Sequence, residues 1–191
     1  MHAREVTPGV DRPDVNELSL EPSETTYRNL DGNRLMTRSV PFLDYVVDGT
    51  PLRVMLRDAG YDNDSVTGLC RSWPGSAEQT AAALLRGGSD REAGIDILVC
   101  AVCGDRDCGA LVADVFLGTE TVTWAAWRFA DSSGMEPIQA LPRFTFDRIR
   151  YEELLRTAPA AAAALPYDEQ ANRPRRFLWP WQWGWRLPRA P

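Results

Sequence analysis

Three cysteines stand close together in the segment Cys100-Ala-Val-Cys103-Gly-Asp-Arg-Asp-Cys108-Gly. Two cysteines separated by two residues supply the thiolates of metal sites and of redox dithiols. The glycine that follows Cys103 can adopt a left-handed backbone conformation without a Cβ penalty, so a tight turn can bring the first two sulfurs together. This loop is therefore the strongest candidate for chemistry in the chain.

A structural zinc site completes a tetrahedron with four cysteine or histidine ligands. The loop provides three local thiols, at Cys100, Cys103 and Cys108. The candidates for the fourth ligand are Cys70, Asp105, Asp107, a residue of a partner protein or a water molecule. Cys70 lies on a neighbouring predicted strand. We therefore predict zinc as the cofactor, bound by Cys70 together with the three loop cysteines.

Two other interpretations of the loop stay open. A thiol–disulfide oxidoreductase would use Cys100 and Cys103 as its dithiol and Cys108 as the resolving thiol. A thioredoxin-like pair opens a helix, whereas this pair lies between two predicted strands, which weakens that interpretation. Ordinary packing is the third interpretation, because cysteine is among the most buried residue types. A zinc ribbon is not favoured, since the chain has no second Cys-x-x-Cys pair.

Composition excludes several classes of function. The chain of 191 residues is long enough for one domain with appendages, and its 44% apolar content supports a folded core. A formal charge of −6 argues against a nucleic-acid partner. All 21 basic residues are arginine, so a P-loop lysine and a Schiff-base lysine are excluded. His2 is the single histidine, which excludes histidine triads in practice and leaves it open whether the protein is an enzyme.

The chain carries no sequence signal for export or membrane insertion. No stretch approaches the ~18 apolar residues of a membrane-spanning helix. The first residues are not followed by an apolar segment, so we expect no secretory signal and a cytoplasmic protein. In that compartment the cysteines are expected to be reduced thiols or metal ligands.

Apolar patterning predicts the elements that position the loop. Strands at 95–100, 110–116 and 121–127 form an antiparallel meander around the cysteine hairpin, and shorter strands are predicted at 42–47, 66–73 and 144–146. A short helix is expected from Pro51, and a second over 76–86 with Ser76 and Gln79 as a capping box. A third helix follows Asp147 and ends near Pro159 or extends into the alanine run at 160–164. The predicted fold class is α+β, with a small, mainly antiparallel sheet and two or three helices.

The chain divides into three segments of different amino-acid composition. Residues 1–36 are polar and rich in proline, and we interpret them as a disordered leader or one included in error, with Met36 as an alternative start. Residues 37–157 carry the α+β domain with the cysteine loop. Residues 158–191 form an Ala/Pro linker and a tail rich in tryptophan and arginine.

The tail alternates aromatic and other residues from Phe177 onwards. Its four tryptophans would lie on one face of an extended chain, flanked by arginines. They are Trp179, Trp181, Trp183 and Trp185. Tryptophan and arginine dominate the hot spots of protein interfaces, so we predict that these residues bind an unknown protein partner. Packing on the protein's own sheet and binding to a membrane surface are the alternatives.

The cysteine motif resembles that of a family of uncharacterised actinobacterial proteins. The resemblance is carried by residues 97–110, with the pattern Cys-x-x-Cys-Gly-Asp-x-x-Cys-Gly, by Val122-x-Trp124 and by Phe144-Thr-Phe146-Asp147 with Tyr151-Glu152. It covers about residues 40–157 and leaves out the leader, the tail and Cys70. It implies a small cytosolic bacterial domain and no established activity. Together, these observations predict a non-enzymatic interaction module built around a structural metal site.

Overall fold

The computed structural model describes residues 15–31, 34–61, 64–88 and 94–167. These residues form three helices, α1 (Leu52–Asp58), α2 (Ser76–Arg86) and α3 (Arg148–Ala163), and a short 3-10 helix at Arg106–Cys108. The strands are β1 (Leu18–Asp31), β2 (Arg34–Val47), β3 (Thr50–Pro51), β4 (Ser65–Val66), β5 (Ile95–Cys100), β6 (Ala110–Leu117), β7 (Thr121–Asp131), β8 (Gly134–Pro137) and β9 (Phe144–Asp147). The predicted α+β class is confirmed.

The strands form two sheets in which every strand pairs antiparallel with its neighbours. One sheet has the order β1-β2-β3, and the other has the order β4-β5-β6-β7-β8 with β9 on β7. The predicted meander is therefore confirmed as β5-β6-β7 and continues into β8. The segment after β4 contacts the first sheet, where the Leu43 N–H donates to the Leu69 carbonyl at 3.0 Å and the Thr67 hydroxyl donates to the Leu43 carbonyl at 2.6 Å.

A β-bulge in β7 directs two tryptophans into the same core. Trp124 and Trp127 are three residues apart, so a regular strand would place them on opposite faces. The pairing with β6 shifts by one residue in this region, and Ala126 has a positive φ of 51°. The extra residue of a bulge reverses the alternation, and both indoles are buried in one cluster.

Trp124 lies at the centre of this core. Its ring makes edge-to-face contacts with Tyr45 of β2 at 5.3 Å and with Phe146 of β9 at 5.2 Å between centroids. Its indole N–H donates to the hydroxyl of Tyr151, on α3, at 3.0 Å. One side chain thus joins both sheets to the third helix.

Residues assigned to a leader belong to the first sheet. Strand β1, Leu18–Asp31, pairs with β2 along its whole length. The predicted boundary at residue 36 falls inside β2, so the prediction of a separate or disordered leader is corrected for the stretch that forms β1. Residues 1–14 lie outside the part of the chain that the structure describes.

The third helix extends beyond residue 157, into the segment that is predicted to be a linker. It begins after Asp147, whose carboxylate accepts from the Arg150 N–H at 3.0 Å and caps the first turn, as predicted. The helix passes through Pro159 and ends at Ala163. The predicted Ala/Pro linker from residue 158 is therefore helical as far as residue 163.

Two local predictions near the second helix are wrong. Helix α2 has Gly75 as its N-cap, with a φ of 74° and no side-chain cap, so the predicted capping box is absent. Instead, the Ser76 hydroxyl donates to the Cys70 carbonyl at 3.3 Å. Of the strand predicted over 66–73, only Val66 belongs to a strand, the two-residue β4. Irregular backbone follows, with an isolated bridge between Cys70 and Phe42.

The buried carboxyl of Asp44, which pairs with Arg53, predicts how the free energy of unfolding depends on pH. Asp44 is 2% exposed, and burial raises the pKa of its carboxyl above the ordinary 3.8, although Arg53 donates to it at 2.7 Å. Between 3.8 and the raised pKa, the folded chain keeps a proton that the unfolded chain has lost. We therefore expect Asp44 to make the free energy of unfolding fall as pH rises through this window, and Asp44→Asn to abolish that fall. Urea unfolding from pH 4 upwards measures it.

Asp131 provides a control of opposite sign. It is half-buried, and hydrogen bonds from the Ser133 hydroxyl and N–H lower the pKa of its carboxyl. Its contribution to stability is therefore present above 3.8 and lost only as pH falls through the lowered pKa. In the same pH range, Asp131→Asn should change the free energy of unfolding by a constant amount and leave its dependence on pH unchanged. Parallel profiles for wild type and Asp44→Asn would contradict the prediction.

Candidate metal centre

The cysteine loop connects the adjacent antiparallel strands β5 and β6. Cys100 is the last residue of β5, and Cys108 ends the 3-10 helix just before β6 begins. Backbone hydrogen bonds hold both sides of the loop, from the Gly104 N–H to the Cys100 carbonyl at 2.8 Å and from the Ser132 N–H to the Asp107 carbonyl at 2.9 Å. The loop is thus fixed by the strands that it joins and by the turn after β7.

The three loop sulfurs lie together. The Sγ atoms of Cys100, Cys103 and Cys108 are all within 4.8 Å of one another. Zinc–sulfur bonds of about 2.3 Å in a tetrahedron require sulfurs about 3.8 Å apart. A change of about 1 Å, within reach of side-chain rotation, would give a single metal ion three thiolate ligands. Cys103 and Cys108 are exposed and Cys100 is half-buried, so an ion can enter from solvent.

Gly104 allows the loop to pass directly against an aromatic ring. Its φ of 70° lies in the left-handed region, in agreement with the conformation expected after Cys103. A Cβ at this position would lie 3.0 Å from two carbon atoms of the Trp73 indole. Both the conformation and the space therefore favour glycine. Trp73 was not identified as a site residue from the sequence, because nothing in the segment around it signals a contact with the loop.

Cys70 is not a member of the sulfur group. It is 3% exposed and packs in an apolar cluster with Phe42, Val66 and Ala101. Its sulfur lies 3.8 Å from the Ser76 hydroxyl. In the described part of the chain, the group that could hold a metal has three members. Of the four cysteines predicted to bind zinc, the structure thus brings three together and leaves Cys70 apart.

Two of the three charged residues at the loop tip, Asp105 and Arg106, have side-chain partners. The carboxylate of Asp105 accepts from the Asp107 N–H at 3.0 Å and caps the 3-10 helix. Arg106 donates to the carboxylate of Asp96 at 2.7 Å, so its charge is matched by a residue of β5. A charged residue within the apolar strand 95–100 was the sequence signal that could have identified Asp96.

A cleft of about 490 Å³ opens beside Cys103. Helix α2 forms one wall, and β5 with the cysteine loop forms the other. Among its lining residues are Trp73, Gln79, Arg86, Asp96, Cys103 and Arg106. This volume is within the range of sites that bind small molecules. The sequence could not predict the cleft, since its walls come from segments that are separate in the chain.

Several predictions concern residues that the structure does not describe. The tail tryptophans Trp179, Trp181, Trp183 and Trp185 lie outside the described residues, as does His2. Binding of a protein partner or of a membrane surface through the tail therefore stays a prediction. Among the helices of the described part of the chain, none is long and apolar enough to span a membrane.

Comparison of the chain with known protein families, with curated proteins and with solved structures found no match.

Proposed function

We propose that the protein binds one zinc ion through Cys100, Cys103 and Cys108 and that the ion stabilises the loop between β5 and β6. The observation that carries the proposal is the mutual distance of the three sulfurs, within 4.8 Å. Three thiols that share one centre have the arrangement of a mononuclear thiolate site. Zinc is the first candidate because thiolates prefer soft metal ions and zinc does not undergo redox chemistry with them.

The position of the site supports a structural role for the ion. Cys100 and Cys108 lie at the two ends of a hairpin connection, so one ion would close the loop across its base. Such an ion would also fix Gly104 against Trp73, the residue that joins the loop to the small apolar clusters of the domain. In this role the protein is an interaction module with a metal-stabilised loop, and its partner would contact the exposed loop or the tail.

A thiol–disulfide oxidoreductase is the second candidate. It is favoured by the exposure of Cys103 and Cys108, because a redox dithiol must be accessible to its substrate. A disulfide joins only two sulfurs at a time, at about 2.05 Å, so the resolving thiol Cys108 would not be bonded together with Cys100 and Cys103. A metal ion uses all three, which is why we place it first.

Metal content and thiol reactivity of the full chain test the proposal together. The protein, purified under reducing conditions with zinc, is expected to contain one zinc ion per chain by mass spectrometry of metals. Its loop thiols should react with a disulfide reagent only after a chelator removes the ion, whereas buried Cys70 should stay slow in both states. Metal-free protein with freely reactive thiols would contradict the proposal. If that protein also forms a disulfide reversibly, the oxidoreductase is supported.

A further inference from the structure

The proposed metal centre lacks a fourth ligand from the described part of the chain. Three thiolates satisfy three corners of the tetrahedron that zinc prefers, and a site with three protein ligands holds an external molecule at the fourth. Cys70 does not belong to the group and contacts Ser76. Within the described ranges, the fourth position is therefore left for a ligand that comes from solution.

The cleft beside Cys103 is where such a ligand can be held. Cys103 and Gly104 form part of its wall, and α2 runs along the opposite side from Ser76 to Arg86. A helix of this length spans about 16 Å at 1.5 Å per residue. The cleft is thus larger than a single water molecule or a halide ion requires, and its length suits a molecule of several bonded units.

The charges of the cleft indicate the chemistry of that molecule. Among the residues that the structure describes, two arginines, Arg86 and Arg106, and one carboxylate, Asp96, line the cleft. Arg106 is paired with Asp96 at 2.7 Å. Arg86 is exposed and has no ion-pair partner in the ranges that the structure describes. The uncompensated positive charge therefore favours an anionic group in the ligand, such as a carboxylate.

We infer that the cleft binds a low-molecular-weight thiol that also carries a carboxylate. Its sulfur would take the fourth position on the metal bound by Cys100, Cys103 and Cys108, and its carboxylate would pair with Arg86. The inference rests on the proposed metal site. The ligand thiol loses its proton to solvent when it coordinates, and no electron is transferred, so the step balances without an oxidant.

Cobalt in place of zinc makes the fourth ligand visible. The full chain loaded with one Co²⁺ is titrated with glutathione, which has both groups, with S-methylglutathione, which has no free thiol, and with 2-mercaptoethanol, which has no carboxylate. Glutathione should raise the thiolate-to-cobalt charge-transfer absorption by about one third, as a fourth thiolate joins three. S-methylglutathione should leave the absorption unchanged. Cobalt content after gel filtration shows that the ion stays on the protein.

Substitutions at two exposed positions of α2 that line the cleft test where the ligand binds. Arg86→Gln should weaken glutathione binding about fivefold, the effect of losing one exposed ion pair, and should not change the response to 2-mercaptoethanol. Gln79→Trp places an indole in the cleft and should abolish binding of glutathione while 2-mercaptoethanol still binds. Because both side chains are exposed, neither variant is expected to prevent folding.

The possible results separate the two proposals. If cobalt binds and no thiol changes its spectrum, the inference is overturned and the metal site stands. If glutathione and 2-mercaptoethanol bind equally and the two variants have no effect, the fourth position is open but the cleft is not used, which also overturns the inference. If the chain binds no cobalt, both proposals fail.

Discussion

Replacing Cys103 with serine is expected to lower the affinity of the chain for zinc by about a hundredfold or more. Structural zinc sites contribute about 10–16 kcal/mol, so one thiolate of three or four accounts for roughly 3 kcal/mol. A serine hydroxyl does not replace it, because it stays protonated at neutral pH and is a poor ligand for a soft ion. Competition against a chromophoric chelator at pH 7 measures the change. Cys100→Ser and Cys108→Ser should behave in the same way, since all three sulfurs belong to one group.

Cys70→Ser is the matched control for this result. Cys70 lies in a separate apolar cluster and contacts Ser76, so its loss is expected to reduce stability slightly and leave zinc affinity unchanged. The control also decides between the two ligand sets. If Cys70→Ser weakens zinc binding as much as Cys103→Ser does, the four-cysteine set predicted from the sequence is correct and the loop rearranges to reach it.

The local part of the candidate site could be predicted from the sequence. Spacing alone placed three cysteines in one turn, because consecutive residues between two paired strands cannot lie far apart. The position of Cys70 could not be predicted in this way. It depends on how the irregular segment after β4 packs against Phe42 of the other sheet. Two further features also depend on how distant segments pack together: the contact of Trp73 with Gly104 and the ion pair of Arg106 with Asp96. The cleft is formed by both.

The fold was predictable where burial leaves a periodic pattern. The strand at 95–100 and the start of β6 and β7 were placed correctly, since their apolar runs face the core. Strand β1 was missed because much of its surface is exposed and its side chains are mostly polar, so hydrophobic alternation is weak. Its pairing with β2 supplies backbone hydrogen bonds that a search for apolar periodicity does not detect.

Replacing Trp124 with alanine is expected to lower the free energy of unfolding by about 4 kcal/mol or more, the largest effect on stability that we predict. Its indole is fully buried and contacts Tyr45 and Phe146 edge to face. Alanine removes this packing and leaves a cavity between the two sheets and α3. Because small domains are stable by only about 5–15 kcal/mol, the variant can be too unstable to study. Trp124→Phe then gives a smaller loss that urea unfolding can measure.

Phe116→Ala is the control that separates burial from residue type. Phe116 is an aromatic residue on β6, next to β7, but it is 45% exposed. Its removal should change the free energy of unfolding by less than about 1 kcal/mol. A loss of similar size for Phe116→Ala and Trp124→Phe would contradict the assignment of Trp124 as the centre of the core.

Tyr151→Phe divides the effect of Trp124 into packing and hydrogen bonding. The Tyr151 hydroxyl accepts from the Trp124 N–H at 3.0 Å and donates to the Leu84 carbonyl at 3.4 Å. Phenylalanine keeps the ring contacts and leaves the indole N–H without its acceptor, which costs about 1–3 kcal/mol for a buried donor. Trp124→Phe removes that donor together with part of the packing. The double variant should therefore be less destabilised than the sum of the single ones, because the hydrogen bond is lost only once. Additive losses would show that the hydrogen bond does not contribute.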